Sequence, residues 1–246
     1  MTIAATAALD AARPEWIPAY AGKNLYLGNM DLVDHQIIRS CSAANTLASI
    51  VYCHQRGRDW TQPEPGLSFV ENTLLMMGHV DERTKRPKQK HVHYLERLWV
   101  LMADHEMTHS TAAFLHTASS LSDILMCLIS ANAAAWGILH GGAIEMAYKQ
   151  FERVGDVSGV QKLIDNVKAG KLRLYGYGHR IYKVTDPRYY CIRKMLDELI
   201  VDGHADDPVL RTALEIDRIA STDEYFTSRG LKANADLLAS FVYKAL

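Results

Sequence analysis

Apolar residues recur at helical spacing along almost the whole chain, and strand-type alternation is weak everywhere. That pattern confines the fold to a mainly α architecture. Residues 40–55 are alanine-rich and apolar with a helical period, and they stop at Arg56-Gly57-Arg58. Residues 68–77 read as a helix closed by Gly78. From Tyr94 a long apolar stretch runs towards Ser120, and Ser122 and Asp123 suit the start of a helix over 124–136 that ends at Gly137. Shorter helices are expected over 145–154, 160–169, 189–201 and 208–220, and an apolar, helix-like run closes the chain over 237–246. The best strand candidate is the short segment 171–175. Large apolar helices therefore come first, and a smaller, more charged helical unit begins near Ala143.

Composition narrows the function classes. A chain of 246 residues makes one large domain or two small ones, and 48% hydrophobic with 22% charged residues is an ordinary globular balance. With 27 basic against 28 acidic residues there is no global footprint for nucleic acid. The one basic cluster, Lys85, Arg86, Lys88 and Lys90, has no interleaved aromatics and reads as a solvated loop. No apolar run reaches the roughly 18 residues that a membrane span needs. Cys41, Cys53, Cys127 and Cys191 show no CxxC spacing, which suits reduced thiols inside a cell. The first eighteen residues carry one arginine and two acids, poor for a mitochondrial transit peptide. The closing YKAL is no peroxisomal address. An intracellular location is expected and the cytoplasm favoured, with the compartment itself left open.

The segment LYGYGHRIYKVTDPR, from Leu174 to Arg188, carries the densest chemistry. Gly176 and Gly178 permit dihedrals closed to other residues and a close approach of backbone to a bulky ligand. They deliver His179 on a turn, near Tyr182, Lys183 and Arg188. An imidazole and a guanidinium together suit a small substrate with a carbonyl and carboxylates, because arginine pairs bidentately with carboxylate. A second constellation, His105-Glu106-Met107-Thr108-His109, fits the zincin pattern HExxH. On a helix it sets two imidazoles one turn apart on one face. The metzincin extension is absent, since Ala112 and Leu115 hold its places and His116 falls one residue late; Asp123 is a conceivable distant third ligand. His109 reads more simply as a packing or hydrogen-bonding residue. His140, ahead of Gly141-Gly142 at a helix start, is expected neutral through the positive end of the helix dipole. Asp236, in Asn234-Ala235-Asp236, reads locally as a helix cap.

Four blocks, ADHEMTHST, LHGGAIE, YGYGHRIYKVTDPR and NADLLASFVYKAL, resemble the signature blocks of the citrate synthase family, in the family's order and over residues 31–246. HExxH lies inside the first of them, which argues against zinc. The resemblance implies the nearly all-α citrate synthase fold: 1–142 a partial large domain, 143–240 the small domain, 241–246 the start of the return to the large one. It implies a homodimer with its active site in the cleft between domains. By position, His105 and His179 hold oxaloacetate, His179 polarises its ketone, and Arg188 grips a carboxylate. His140 donates to the thioester oxygen and Asp236 removes the α-proton of an acyl-CoA. Leu174, Tyr175, Gly176, Tyr177, Gly178 and Lys183 match part of the coenzyme A pocket. The activity implied is an acyltransferase forming citrate, methylcitrate or alkylcitrate, with coenzyme A thioester as substrate and no metal or other cofactor. The alternatives are an inactive truncated homologue that serves as a dimer partner and, more remotely, a zinc hydrolase.

The match departs from the family in three places. Ile144 stands where the family reads asparagine in HGGANE, which bears on the acyl pocket, and Thr108 stands where HELN-type members carry asparagine. Family members also continue past the last block and begin before the first, so the resemblance implies that parts are missing at both ends, among them two further carboxylate-binding arginines.

Overall fold

The computed structural model describes residues 1–203 and 207–246. Its helices are α1 (Thr2–Ala11), α2 (Pro18–Ala21), α3 (Met30–Arg56), α4 (Phe69–Met76), α5 (Gln89–Met102), α6 (His109–Ala118), α7 (Ile124–Ala135), α8 (Ala143–Val154), α9 (Val160–Lys168), α10 (Pro187–Val201), α11 (Pro208–Ala220), α12 (Glu224–Thr227) and α13 (Ala239–Ala245). Among the described residues no strand is present; one isolated antiparallel bridge joins Tyr177 to Ala233. None of these helices is long and apolar enough to cross a membrane.

Most helix boundaries follow from capping chemistry. Asn29 accepts from the Leu32 N–H and starts α3 ten residues earlier than apolar periodicity suggests. Ser68 and Glu71 form a reciprocal capping box on α4. Asp123 caps α7 through the Met126 N–H, as its sequence position predicts. Asp186 and Pro187 open α10, and Asp207 and Pro208 open α11, each pair combining a side-chain acceptor with a proline at the first helical position.

Local pattern and structure part in two places. The apolar stretch from Tyr94 towards Ser120 is divided between two helices: α5 ends at Met102, residues 103–108 are irregular, and α6 begins at His109. The break has a local cause. Glu106 sits at φ +56°, and Thr108 turns its hydroxyl onto the Thr111 N–H to cap the new helix. His105 and His109 therefore lie on different elements, and the one-turn spacing that the zinc reading requires does not exist. The expected strand at 171–175 is turn and coil instead. A side chain supplies what a neighbouring strand would have: Gln150 donates to the Arg173 carbonyl at 2.8 Å and accepts from the Tyr175 N–H at 3.1 Å.

The chain divides into two compact units, Met1–Val92 with His105–His140, and His93–Asp104 with Gly141–Leu246. In the first, α1, α3, α6 and α7 form a helical array with α4 packed on α3, and Cys53 of α3, Leu74, Leu75 and Met76 of α4, and Leu125 and Cys127 of α7 are among its buried side chains. Exposed apolar side chains remain on this unit, including Ile38 on α3 and Trp136 and Leu139 after α7. The second unit has the larger core. Phe151, Ile164, Ile192, Met195, Ile216 and Phe241 are fully buried there, so α8, α9, α10, α11 and α13 converge on one apolar centre.

Candidate active site

In the first unit, His140 occupies the turn between α7 and α8, half-buried. Its Nε2 accepts the Ser110 backbone N–H at 3.3 Å and lies 2.8 Å from the Ser110 hydroxyl. A backbone N–H can only donate, so Nε2 is the acceptor and a neutral ring carries its hydrogen on Nδ1. Burial first, then the imidazoles of His109 and His105, hold His140 below the usual histidine range. The expectation of a neutral His140 thus stands on a different footing. The helix whose first turn meets its ring is α6, which contributes Ser110, and not α8, whose N-cap is Gly142. His105 lies half-buried in the irregular segment before α6, and Thr108 serves as that helix's cap.

In the second unit, His179 follows two glycines at φ +82° and +81°. Its Nδ1 accepts the N–H groups of Ile181 and Tyr182 at 3.2 and 3.1 Å, and its ring stacks on Tyr182 at 4.6 Å. The neutral ring then has its hydrogen on Nε2, where it can donate to a carbonyl oxygen. The glycines' close approach is to protein. A Cβ at Gly176 would lie 2.8 Å from the Leu237 Cα, and one at Gly178 would lie 2.9 Å from Leu231. The two segments are laced together by the Gly178 N–H on the Lys232 carbonyl, the Asn234 N–H on the Gly176 carbonyl and the Asn234 amide on the Gly178 carbonyl, each between 2.8 and 2.9 Å.

That lacing carries Asp236. Asn234, and not Asp236, caps the short 3₁₀ turn Ala235–Leu237, by accepting from the Asp236 N–H at 2.9 Å. The Asp236 carboxyl is left for other work. Burial pushes its pKa up to about 6, and Asp186 adds to the rise although the charge of Arg188 opposes it. Arg188, in the first turn of α10, is locked to the fully buried Asp186, with Nε 3.0 Å from Oδ1 and Nη2 2.7 Å from Oδ2. Burial works against the guanidinium charge, but the hydrogen bonds and charge of Asp186 outweigh it and raise the Arg188 pKa. Asp186 also accepts from the Ala235 N–H at 3.2 Å, so a single carboxylate orients both the arginine and the turn bearing Asp236. Residue-by-residue matching passed over Asp186, although Asp-Pro before a helix is a visible cap signal. Ser110 carried no comparable signal.

A cavity of about 430 Å³ in this unit is lined by Leu174, Tyr177, Gly178 and His179, together with Arg173 and Arg180. Tyr175, Gly176 and Lys183 are not among its lining residues, and Lys183 is exposed. Ile144, on α8, packs half-buried against the core of the second unit. His105 and His140 thus belong to one unit and His179, Arg188 and Asp236 to the other.

The sequence profile of the citrate synthase C-terminal domain matches residues 1–246. The chain is 55% identical over its full length to citrate synthase-like protein oryE of Aspergillus oryzae, covering 55% of that protein. It is 38% identical over 245 residues to alkylcitrate synthase phiJ of a fungal species, covering 53% of it. Among solved structures, citrate synthase from Thermoplasma acidophilum, in ternary complex with carboxymethyl coenzyme A and oxaloacetate, superposes with a TM-score of 0.83 at 29% identity, over 100% of this chain and 60% of that one. The chain spans about half the length of the curated relatives it matches. It belongs to the citrate synthase family.

Proposed function

We propose that the protein condenses an acyl-CoA with oxaloacetate and releases coenzyme A. The observation that carries this reading is Asp236. It is a half-buried carboxylate, freed from capping by Asn234 and raised to about 6, in the same unit as a locked arginine and a histidine with its Nε2–H defined. The α-proton of a thioester is weakly acidic, so a base poised near neutrality needs an electrophile to take up the charge that develops on the thioester oxygen. Asp236 removes that proton and the Nδ1–H of His140 donates to the oxygen. A neutral imidazole suits this role, because it stabilises the enol without leaving a full charge behind. The enol carbon attacks the ketone carbon of oxaloacetate, whose oxygen is polarised by His179. Arg188 and His105 hold the substrate, with the guanidinium pairing a carboxylate. Water then hydrolyses the citryl-type thioester, and coenzyme A leaves. Arg173 and Arg180, at the mouth of a cavity shared with Leu174 and Tyr177, are suited to the phosphates of coenzyme A.

Relatives named alkylcitrate synthase, together with Ile144 in place of a polar residue, support a longer or bulkier acyl group as one form of this substrate. A homodimer belongs to the same reading, supported by the apolar side chains that the first unit leaves exposed. The test is thiol release with acetyl-, propionyl- and hexanoyl-CoA, each with and without oxaloacetate. Release that depends on oxaloacetate is expected, and the preferred thioester identifies the product. Absence of such release from a folded sample with every thioester overturns the reading.

A further inference from the structure

The buried carboxylate of Asp217 on α11 has no place in the chemistry above, yet it joins two segments that do. Its Oδ1 accepts the Tyr177 hydroxyl at 2.5 Å, its Oδ2 accepts the Tyr189 hydroxyl, and its own carbonyl lies 3.2 Å from the Tyr177 hydroxyl. Tyr177 stands two residues before His179, and Tyr189 directly follows Arg188. Both phenols are pushed upward in pKa, by burial first and by Asp217 after it, so both remain donors. A leucine could fill this volume in a core that already includes Phe226, packed edge-on to Tyr177. Dispersion contacts would not fix direction. Two charge-assisted hydrogen bonds from one rigid helix do.

We infer that Asp217 is a positioning residue for oxaloacetate: by holding Tyr177 and Tyr189 on its two oxygens, it sets the separation between the His179 turn and the first turn of α10 that presents Arg188. The inference rests on the proposed oxaloacetate reading. A ketone donor and a carboxylate clamp must match one four-carbon substrate at once, and small misplacements in such an arrangement are costly.

The test is calorimetric titration of oxaloacetate into the full chain and into Asp217→Leu, Tyr189→Phe and Val160→Ala, with the urea midpoint measured for each. Val160 is fully buried in the same core and its apolar side chain has no hydrogen bond to give Asp217, Tyr177 or Tyr189, so its variant reports plain destabilisation. Weakening of oxaloacetate binding by roughly tenfold or more in Asp217→Leu and Tyr189→Phe is expected, with Val160→Ala less stable but unchanged in affinity. Tyr189→Phe carries the test alone if Asp217→Leu fails to fold. Unchanged affinity in the Asp217 and Tyr189 variants overturns the inference, as does affinity that falls equally in Val160→Ala. Failure of the unaltered chain to bind oxaloacetate defeats the reading beneath it, and is seen before any variant is compared.

Discussion

Replacing Asp236 with asparagine should make the protein more stable and inactive at once. The usual carboxyl value of 3.8 is raised to about 6 in the folded chain. The folded state therefore binds a proton more tightly than the unfolded state, and stability falls as pH rises from about 4 to about 6. One pKa unit corresponds to about 1.36 kcal/mol, so the ionised Asp236 costs about 3 kcal/mol at pH 7.5. At pH 5 the same linkage leaves a cost of only about 1.6 kcal/mol. Asparagine has nearly the same shape and no charge to desolvate. Asp236→Asn should gain up to about 3 kcal/mol at pH 7.5, about half of that at pH 5, and nothing once Asp236 is protonated in both states. Urea unfolding of both proteins at the two pH values measures this, with thiol release assayed on the same samples. Loss of the proposed general base should lower turnover by about 100-fold or more. A variant no more stable than the parent at pH 7.5, or one whose gain is the same at both pH values, refutes the argument that desolvation of this carboxylate raises its pKa.

The same carboxylate sets a pH profile. The value of kcat/KM should fall below pH about 6 as Asp236 takes up a proton; a profile that holds level down to pH 4.5 contradicts this. Gly176→Ala would place a Cβ 2.8 Å from the Leu237 Cα at φ +82°, whereas Gly155→Ala at φ +86° meets nothing within 4 Å. Both should be destabilised by about 1 kcal/mol or more from backbone strain, but only Gly176→Ala should also displace the Asp236 turn and lose activity. Equal activity losses in the two variants would show that the contact with Leu237 is unimportant.

Sequence determined the helical character of the chain, because the apolar spacing and the cap residues Ser68, Asp123, Asp186 and Asp207 act within one turn of themselves. It also marked His105, His140, His179, Arg188 and Asp236 through short ordered blocks. Local reasoning failed where a partner came from elsewhere in the chain. Gln150 replaces the strand that 171–175 would have needed, Thr108 and the left-handed Glu106 divide an apolar run into two helices, and Asn234 takes the capping role assigned to Asp236. The protonation chemistry was equally out of reach of local pattern. Which nitrogen of His140 or His179 holds the hydrogen depends on the Ser110 N–H in one case and on the Ile181 and Tyr182 N–H groups in the other. The raised pKa of Asp236, the lock of Asp186 on Arg188 and the double grip of Asp217 all depend on burial and on contacts between segments distant in the chain. Dielectric environment and long-range hydrogen bonding are properties of the packed chain, and only the tertiary structure supplies them.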